Sequence, residues 1–369
     1  SRVTSWKTDG RVRIWSTDLP ADAEPLPIHC GDVQQLSWVQ VSPRGDWVAT
    51  AEANGLTLWP VSTEFPVVFR NPDYMVEGLA FSQKGDWLVS TIGEGEIQRR
   101  PLDGDPPPPG FKIGEGVNDL AVSPDGNWVL AGGNSPPSPR LHRADGTESR
   151  TLPGFSGQVW GVAFSADGKL AAAAGGLHDI GERLIRVWDV ASGEEVTVLE
   201  VGEEPVVWSL EFTTDGHLLS ASASGLLRWD LDTGKRELIY EGPVFNFASS
   251  ADGQRVVVIE KDNPSDLFGE AVFLDLEAGI EMRLDKFSDD ISAVDVNPAA
   301  TVIVTGDKDG EVRIGRVGPE EPQLHLGHQS SVFYVAIDPT GRRVASGDVQ
   351  GDLYLWPMPD LSKPPLHTL

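Results

Sequence analysis

Cysteine is nearly missing from this 369-residue chain: Cys30 stands alone. That excludes an intrachain disulfide framework, and no Cys/His grouping has the spacing of zinc ligands. Cations are scarce, with Lys+Arg 29 against Asp+Glu 56 and a net charge of -27. A surface this negative repels phosphate backbones and anionic headgroups, and no local basic patch interrupts it, so neither nucleic acid nor membrane is an expected partner. No run approaches the ~20 apolar residues of a membrane-spanning helix, and the opening SRVTSWKTDG has no signal-peptide core. With the single cysteine, this fits a cytoplasmic location. Helical periodicity is missing throughout, as are a nucleophile elbow, a Walker loop, a dinucleotide fingerprint, HExxH and an EF-hand loop. Aromatics are not missing: Trp 12 and Phe 13, with 40% hydrophobic residues, describe a folded chain.

What fills the sequence is a repeat. VQVSPRGDW, LAFSQKGDW, LAVSPDGNW, VAFSADGKL, LEFTTDGHL, FASSADGQR, VDVNPAATV and VAIDPTGRR share one pattern, anchored at Ser42, Ser82, Ser123, Ser165, Thr213, Ser250, Asn297 and Asp338. Successive anchors lie 40, 41, 42, 48, 37, 47 and 41 residues apart. Such a period means stacked supersecondary units. Each unit begins with an alternating strand that ends in a Pro/Asp/Gly hairpin turn. A small-residue and β-branched strand such as WVAT or LAAAA follows, suited to burial on both faces. The third strand is LTLW (56–59), EIQR (96–99), RVWD (186–189), LRWD (227–230), VFLD (272–275), VRIG (312–315) or LYLW (353–356), and a more polar fourth strand closes the unit. Four antiparallel strands cannot bury both faces of their sheet alone, so the units must pack against one another.

On Trp188-Asp189 and Trp229-Asp230 at third-strand ends, Gly327-His328 before the last unit, and the SPDG-type turns, the chain resembles the WD-repeat β-propellers. The resemblance runs through nearly the whole sequence and implies an all-β fold of four-stranded blades. Residues 1–32 supply three strands of a blade whose first strand is absent, and residues 33–369 supply eight full repeats. The ring is left open between seven and nine blades, and further repeats are expected upstream. The copies are degenerate: Trp59 and Trp356 precede proline. In the last unit His328, Ser346 and Trp356 match the family's hydrogen-bond network, with Gln350 standing where its aspartate belongs. The resemblance implies a non-catalytic scaffold or sensor that binds a protein or peptide. It also suggests a bacterial signalling protein with kinase- or ATPase-type domains linked upstream. The competing reading is a propeller hydrolase or lyase using Glu77, Asp119, Glu211 and Asp295 near the central channel.

Two units exceed the period at the same place. GLHDIGER (176–183) and KDNPSDLFGE (261–270) separate second from third strands in the units flanking Thr213, and long loops on a rigid scaffold are where function concentrates. They bring His178, Asp179, Asp262, Asp266 and Phe268 to the face the resemblance assigns to recognition. First strands of the same three units begin with Trp160, Trp208 and Phe245 at one matching position, with Phe333 a fourth aromatic there. Ser37, Glu77, Asn118 and Ser292 hold that position elsewhere. These nine residues form the candidate partner surface, a cluster of the kind that makes hot spots. The competing reading uses period two: Trp160 would share a face with Val162 and Phe164 and pack between blades. No catalytic residue, cofactor or metal is expected. His178, Asp179 and Glu182 read as a solvated loop rather than ligands. Asp125-Gly126, Asp167-Gly168 and Asp309-Gly310 read as turns, and DPPPPG (105–110) and NSPPSPR (134–140) as stiff connectors.

Overall fold

The structure, a computed structural model, describes residues 78–358 except 92–94, 103–109, 113–115, 135–138, 156, 176–183, 203–205, 262–267, 285–286, 288–289, 319–323 and 329. Ahead of residue 78 it describes the backbone of seven strands. These are β1 (Arg2–Trp6), β2 (Arg11–Ser16), β3 (Leu26–His29), β4 (Trp38–Val41), β5 (Trp47–Glu52), β6 (Gly55–Pro60) and β7 (Val67–Arg70). Among the described residues every regular element is a strand.

Blade 1 is β8 (Leu79–Phe81), β9 (Trp87–Thr91), β10 (Glu96–Pro101) and β11 (Phe111–Lys112). Blade 2 is β12 (Val117–Val122), β13 (Trp128–Gly133), β14 (Arg140–Arg143) and β15 (Ser149–Thr151). Blade 3 is β16 (Val159–Phe164), β17 (Leu170–Gly175), β18 (Leu184–Asp189) and β19 (Glu195–Glu200). Blade 4 is β20 (Val207–Phe212), β21 (Leu218–Ser222), β22 (Gly225–Trp229) and β23 (Arg236–Glu241). Blade 5 is β24 (Val244–Ser249), β25 (Arg255–Glu260), β26 (Glu270–Asp275) and β27 (Ile280–Arg283). Blade 6 is β28 (Ile291–Val296), β29 (Val302–Asp307), β30 (Glu311–Arg316) and β31 (Leu324–Gly327). Blade 7 joins β32 (Val332–Ile337), β33 (Arg343–Asp348) and β34 (Asp352–Pro357) to β7, paired from Asp352↔Arg70 to Leu355↔Val67.

First strands neighbour one another in the cycle β8, β12, β16, β20, β24, β28, β32 and back to β8. The ring therefore closes at seven blades, the low end of the expected range. Because β7 serves blade 7, the unit around Ser42 does not keep its fourth strand. Strands β4–β6 form a separate three-stranded sheet, as do β1–β3.

The second strands carry the burial that their composition demands. Ala171 to Ala174 and Val256 to Ile259 are wholly inaccessible, small and β-branched residues filling the space where two sheets meet. Core clusters cross blade boundaries: Ala172, Ile185 and Val187 of blade 3 pack with Leu210, Leu218 and Trp229 of blade 4. Gly161 sets that closest approach, since a Cβ there would lie 3.0 Å from the Ser209 Cα. Hairpin turns at the opposite end of the first strands follow one design. The Ser165 hydroxyl donates to Asp167 at 2.8 Å and accepts from the Leu170 N–H at 2.9 Å, and Ser123 with Asp125 repeats it. These Asp-Gly pairs are turn structure, as expected.

Candidate functional site

Six of the seven first strands break register at one place. Val117 pairs with Gly133 and Asp119 with Gly132, so Asn118 has no partner of its own. The same two-against-one count leaves over Trp160, Trp208, Phe245, Ser292 and Phe333. The matching position seen in the sequence is thus a β-bulge, a device that re-aims a side chain and kinks its strand. Simple period-two parity fails at this point. Trp160 is not in phase with Val162, which is buried at 4% exposure, and Trp160, Trp208, Phe245 and Phe333 are all half-buried.

Where the bulge residue is polar, it seals blades. Asn118 donates to the Val159 carbonyl at 2.9 Å, and the buried Ser292 hydroxyl donates to the Val332 carbonyl; each acceptor opens the next blade's first strand. Where it is aromatic, three of the four side chains, Trp208, Phe245 and Phe333, meet another ring at the face where the first strands begin, the mouth of the propeller. Trp208 and Phe245 meet at 5.9 Å between centroids. Phe268, in the distal part of the second long insertion, meets Phe333 edge-on at 5.7 Å. It reaches across blade 6 because Gly269 exchanges backbone hydrogen bonds with Ile291, both at 2.9 Å. His178, Asp179, Glu182, Asp262, Asp266 and Glu77 lie outside the described residues.

Two mouth residues escaped the sequence reading. Lys261 follows β25, and its ammonium lies 3.6 Å from the Phe245 ring centroid and 5.6 Å from that of Trp208. It is a cation–π arrangement on a residue only 3% exposed. A cation heading an otherwise acidic insertion, next to aromatic positions, was the available signal. Tyr334 follows the blade 7 bulge, and its hydroxyl donates to the Asn118 carbonyl at 3.2 Å, spanning blade 1.

The channel carboxylates turn inward to neighbouring strands. Asp119 accepts from its own Leu120 N–H at 2.8 Å and from the Val162 N–H of blade 3 at 2.9 Å. Asp295 accepts from Val296 at 2.8 Å and from Ile337 of blade 7 at 2.6 Å. Glu211 accepts from Ser249 of blade 5 at 3.1 Å. Each carboxyl thus links its blade to the next. Burial pushes Asp119 and Asp295 up to about 7 and Glu211 up to about 8, with the Asp295 charge adding to the last. Among the described residues no group of three or more His, Cys, Asp or Glu side chains is placed to hold a metal ion.

Blade 7 corrects the expectation for the hydrogen-bond network. Asp348, not Gln350, is its acid: the carboxylate lies 3.1 Å from His328 Nδ1, His328 Nε2 lies 2.6 Å from Ser346 Oγ, and Trp356 Nε1 donates to that oxygen at 2.8 Å. Asp348 closes β33, and the Gln350 N–H donates to it at 3.0 Å. The sequence count reached into the turn by two residues. Blade 4 keeps only a fragment, the Trp229 Nε1 donating to Ser220 Oγ at 2.9 Å.

No helix among the described residues is long and apolar enough to cross a membrane. The family model for the WD domain, G-beta repeat, matches residues 111–135, 146–189, 282–314 and 320–357. An uncharacterised WD repeat-containing protein of Synechocystis is 37% identical over 107 residues, 29% of each chain. Transcription initiation factor TFIID subunit 5 of Caenorhabditis elegans is 25% identical over 44% of this chain and 25% of its own length. The serine-threonine kinase receptor-associated protein of Bos taurus is 25% identical over 50% of this chain and 51% of its own. The matches thus span from a quarter to about half of these relatives. Among solved structures, U3-55K superposes with a TM-score of 0.69 over 80% of this chain and 99% of that one, and the RRP9 WD40 repeats with 0.70 over 81% and 98%. Both are 15% identical, which speaks to the fold. With the WD repeat matched in four stretches and seven blades closed into a ring, the chain is a seven-bladed β-propeller that carries WD repeats.

Proposed function

We propose that the chain is a non-catalytic scaffold or sensor propeller that binds a protein or peptide at its bulge-lined mouth, as a module of a larger bacterial signalling protein. One observation carries the reading. A single bulge position, used for sealing where it is Asn118 or Ser292, is given to half-buried aromatics in blades 3, 4, 5 and 7, with Lys261 against two of them. Rigid amphipathic rings around a cation supply what interface hot spots use, large apolar area with little side-chain entropy to lose. The relatives that carry the repeat favour the same reading by analogy. The inter-blade bonds of Asp119, Glu211 and Asp295 favour binding over the enzyme alternative, since these carboxyls already serve neighbouring backbones.

The test compares the wild-type chain with a Trp160→Ala/Trp208→Ala variant of matched melting temperature in affinity capture from its native cells, followed by titration of each captured protein. Loss of affinity by tenfold or more in the variant supports the mouth as the binding surface. The same partners held at the same affinity overturn it.

A further inference from the structure

The opposite face carries a groove that the mouth does not explain. It lies between blades 5 and 6 and holds about 620 Å³, lined by Arg255, Phe273 and Asp275 from one blade and Ala300, Val302 and Arg316 from the other. That is within the range of about 300–1,000 Å³ typical of ligand sites. In a chain of net charge -27, its rim has two guanidinium groups against one carboxylate.

The cationic side is organised. Arg255 Nε donates to Asp275 at 3.0 Å and its Nη1 to the Ala299 carbonyl of blade 6 at 3.4 Å, which fixes the plane of the fork. Arg316 stands exposed at the end of β30. The floor is apolar, with Phe273 at its base and Val302 half-buried beside it. The turn beneath departs from the other blades. Among the described residues Ala300 is the non-glycine residue with positive φ, at φ 46, where the corresponding turns carry Gly85, Gly126, Gly168, Gly216, Gly253 and Gly341. A methyl group is kept in a strained left-handed conformation at the groove wall, and such strain concentrates at ligand sites. The two blades are tied at this point by the Ala251 N–H donating to the Pro298 carbonyl at 2.9 Å.

We propose that this groove is a second docking site, for a linear peptide that carries an acidic side chain next to an apolar one. The carboxylate pairs with the arginine fork and the apolar side chain lies on Phe273 and Val302. An extended peptide offers both chemistries on neighbouring residues, the logic of acidic-motif recognition by arginines. The site is independent of the mouth and does not rest on it.

The test pans a random heptapeptide display library against the intact chain at physiological salt. Enriched peptides are then titrated by fluorescence anisotropy against wild type, Arg316→Glu, Arg255→Gln and Trp208→Ala. The expected result is enrichment of acidic-apolar sequences whose affinity falls about tenfold or more with Arg316→Glu, as loss of a charge-assisted contact requires, and less than about twofold with Trp208→Ala. Arg316 is exposed, and affinities are compared only for variants with the wild-type melting temperature; Arg255→Gln gives the second reading from the other rim. No enrichment, enrichment of peptides without acids, or affinities unmoved by both arginine variants overturns the proposal. Since Trp208→Ala reports on the mouth, failure of either site is seen separately.

Discussion

Ser346→Ala tests how much blade 7 depends on its complete network. The hydroxyl is wholly inaccessible and joins two other buried groups, Trp356 Nε1 at 2.8 Å and His328 Nε2 at 2.6 Å. One proton arrangement satisfies all four residues: the indole donates to the serine, the serine to His328 Nε2, and His328 Nδ1 to the Asp348 carboxylate. Removing one oxygen leaves an indole N–H and an imidazole nitrogen stranded in the core, and each stranded group costs about 1–3 kcal/mol. The expected loss is therefore about 2–6 kcal/mol. Blade 4 supplies the control, because Ser220 is equally inaccessible but among the described residues accepts from Trp229 alone. Ser220→Ala should lose about 1–3 kcal/mol. Both stabilities are read from urea unfolding followed by tryptophan fluorescence, with unchanged m-values confirming that only stability moved. If the two variants lose the same amount, the His328 and Asp348 part of the network contributes nothing measurable and the reasoning is refuted.

Three further outcomes follow from the same geometry. Above about pH 5 the folded ring retains protons that the unfolded chain has released, on Asp119 and Asp295 up to about pH 7 and on Glu211 up to about pH 8, so stability falls as pH rises through this window, by up to about 1.4 kcal/mol per pH unit for each fully retained proton. The triple variant Asp119→Asn/Glu211→Gln/Asp295→Asn should flatten that slope in melting temperature against pH, and an unchanged slope would sink the assignment. Gly161→Ala forces blades 3 and 4 apart, because the added Cβ meets backbone atoms of Ser209 and Leu210 at 3.0 and 3.1 Å. A loss of about 1–3 kcal/mol in urea unfolding is expected, and a neutral result would mean that the strands yield. Lys261→Met should reduce partner affinity at the mouth by less than Trp208→Ala does, since the methionine keeps apolar contact with both rings while the ammonium is lost. Calorimetric titration of both variants with a captured partner checks the order.

Much of the blade was legible because its causes are local. Alternating strands, small second strands and Ser-x-Asp-Gly turns are set by residues within a few positions of each other, so Ser165 and Asp167 form the turn that their spacing requires. The aromatic positions were legible as a column for the same reason. What they face was not, because period two assumes an unbroken strand and the bulge at Trp160 inserts a residue into it. Asp348 was missed in the same way: the network's geometry is fixed by where β33 ends against His328, two residues before the position counted along the chain.

The sequence by itself determined the unit, four antiparallel strands every forty or so residues, since hydrophobic alternation and turn chemistry act within one blade. Tertiary structure alone decided the count and the closure. Pairing of β34 with β7 fixes seven blades and divides the unit around Ser42, and nothing local to either strand says which sheet edge it completes. It also decided the roles of Asp119, Glu211 and Asp295, whose partners are backbone groups 43, 38 and 42 residues away on the next blade. Contacts of that kind form only when the ring brings the blades together, and the groove between blades 5 and 6 exists for the same reason.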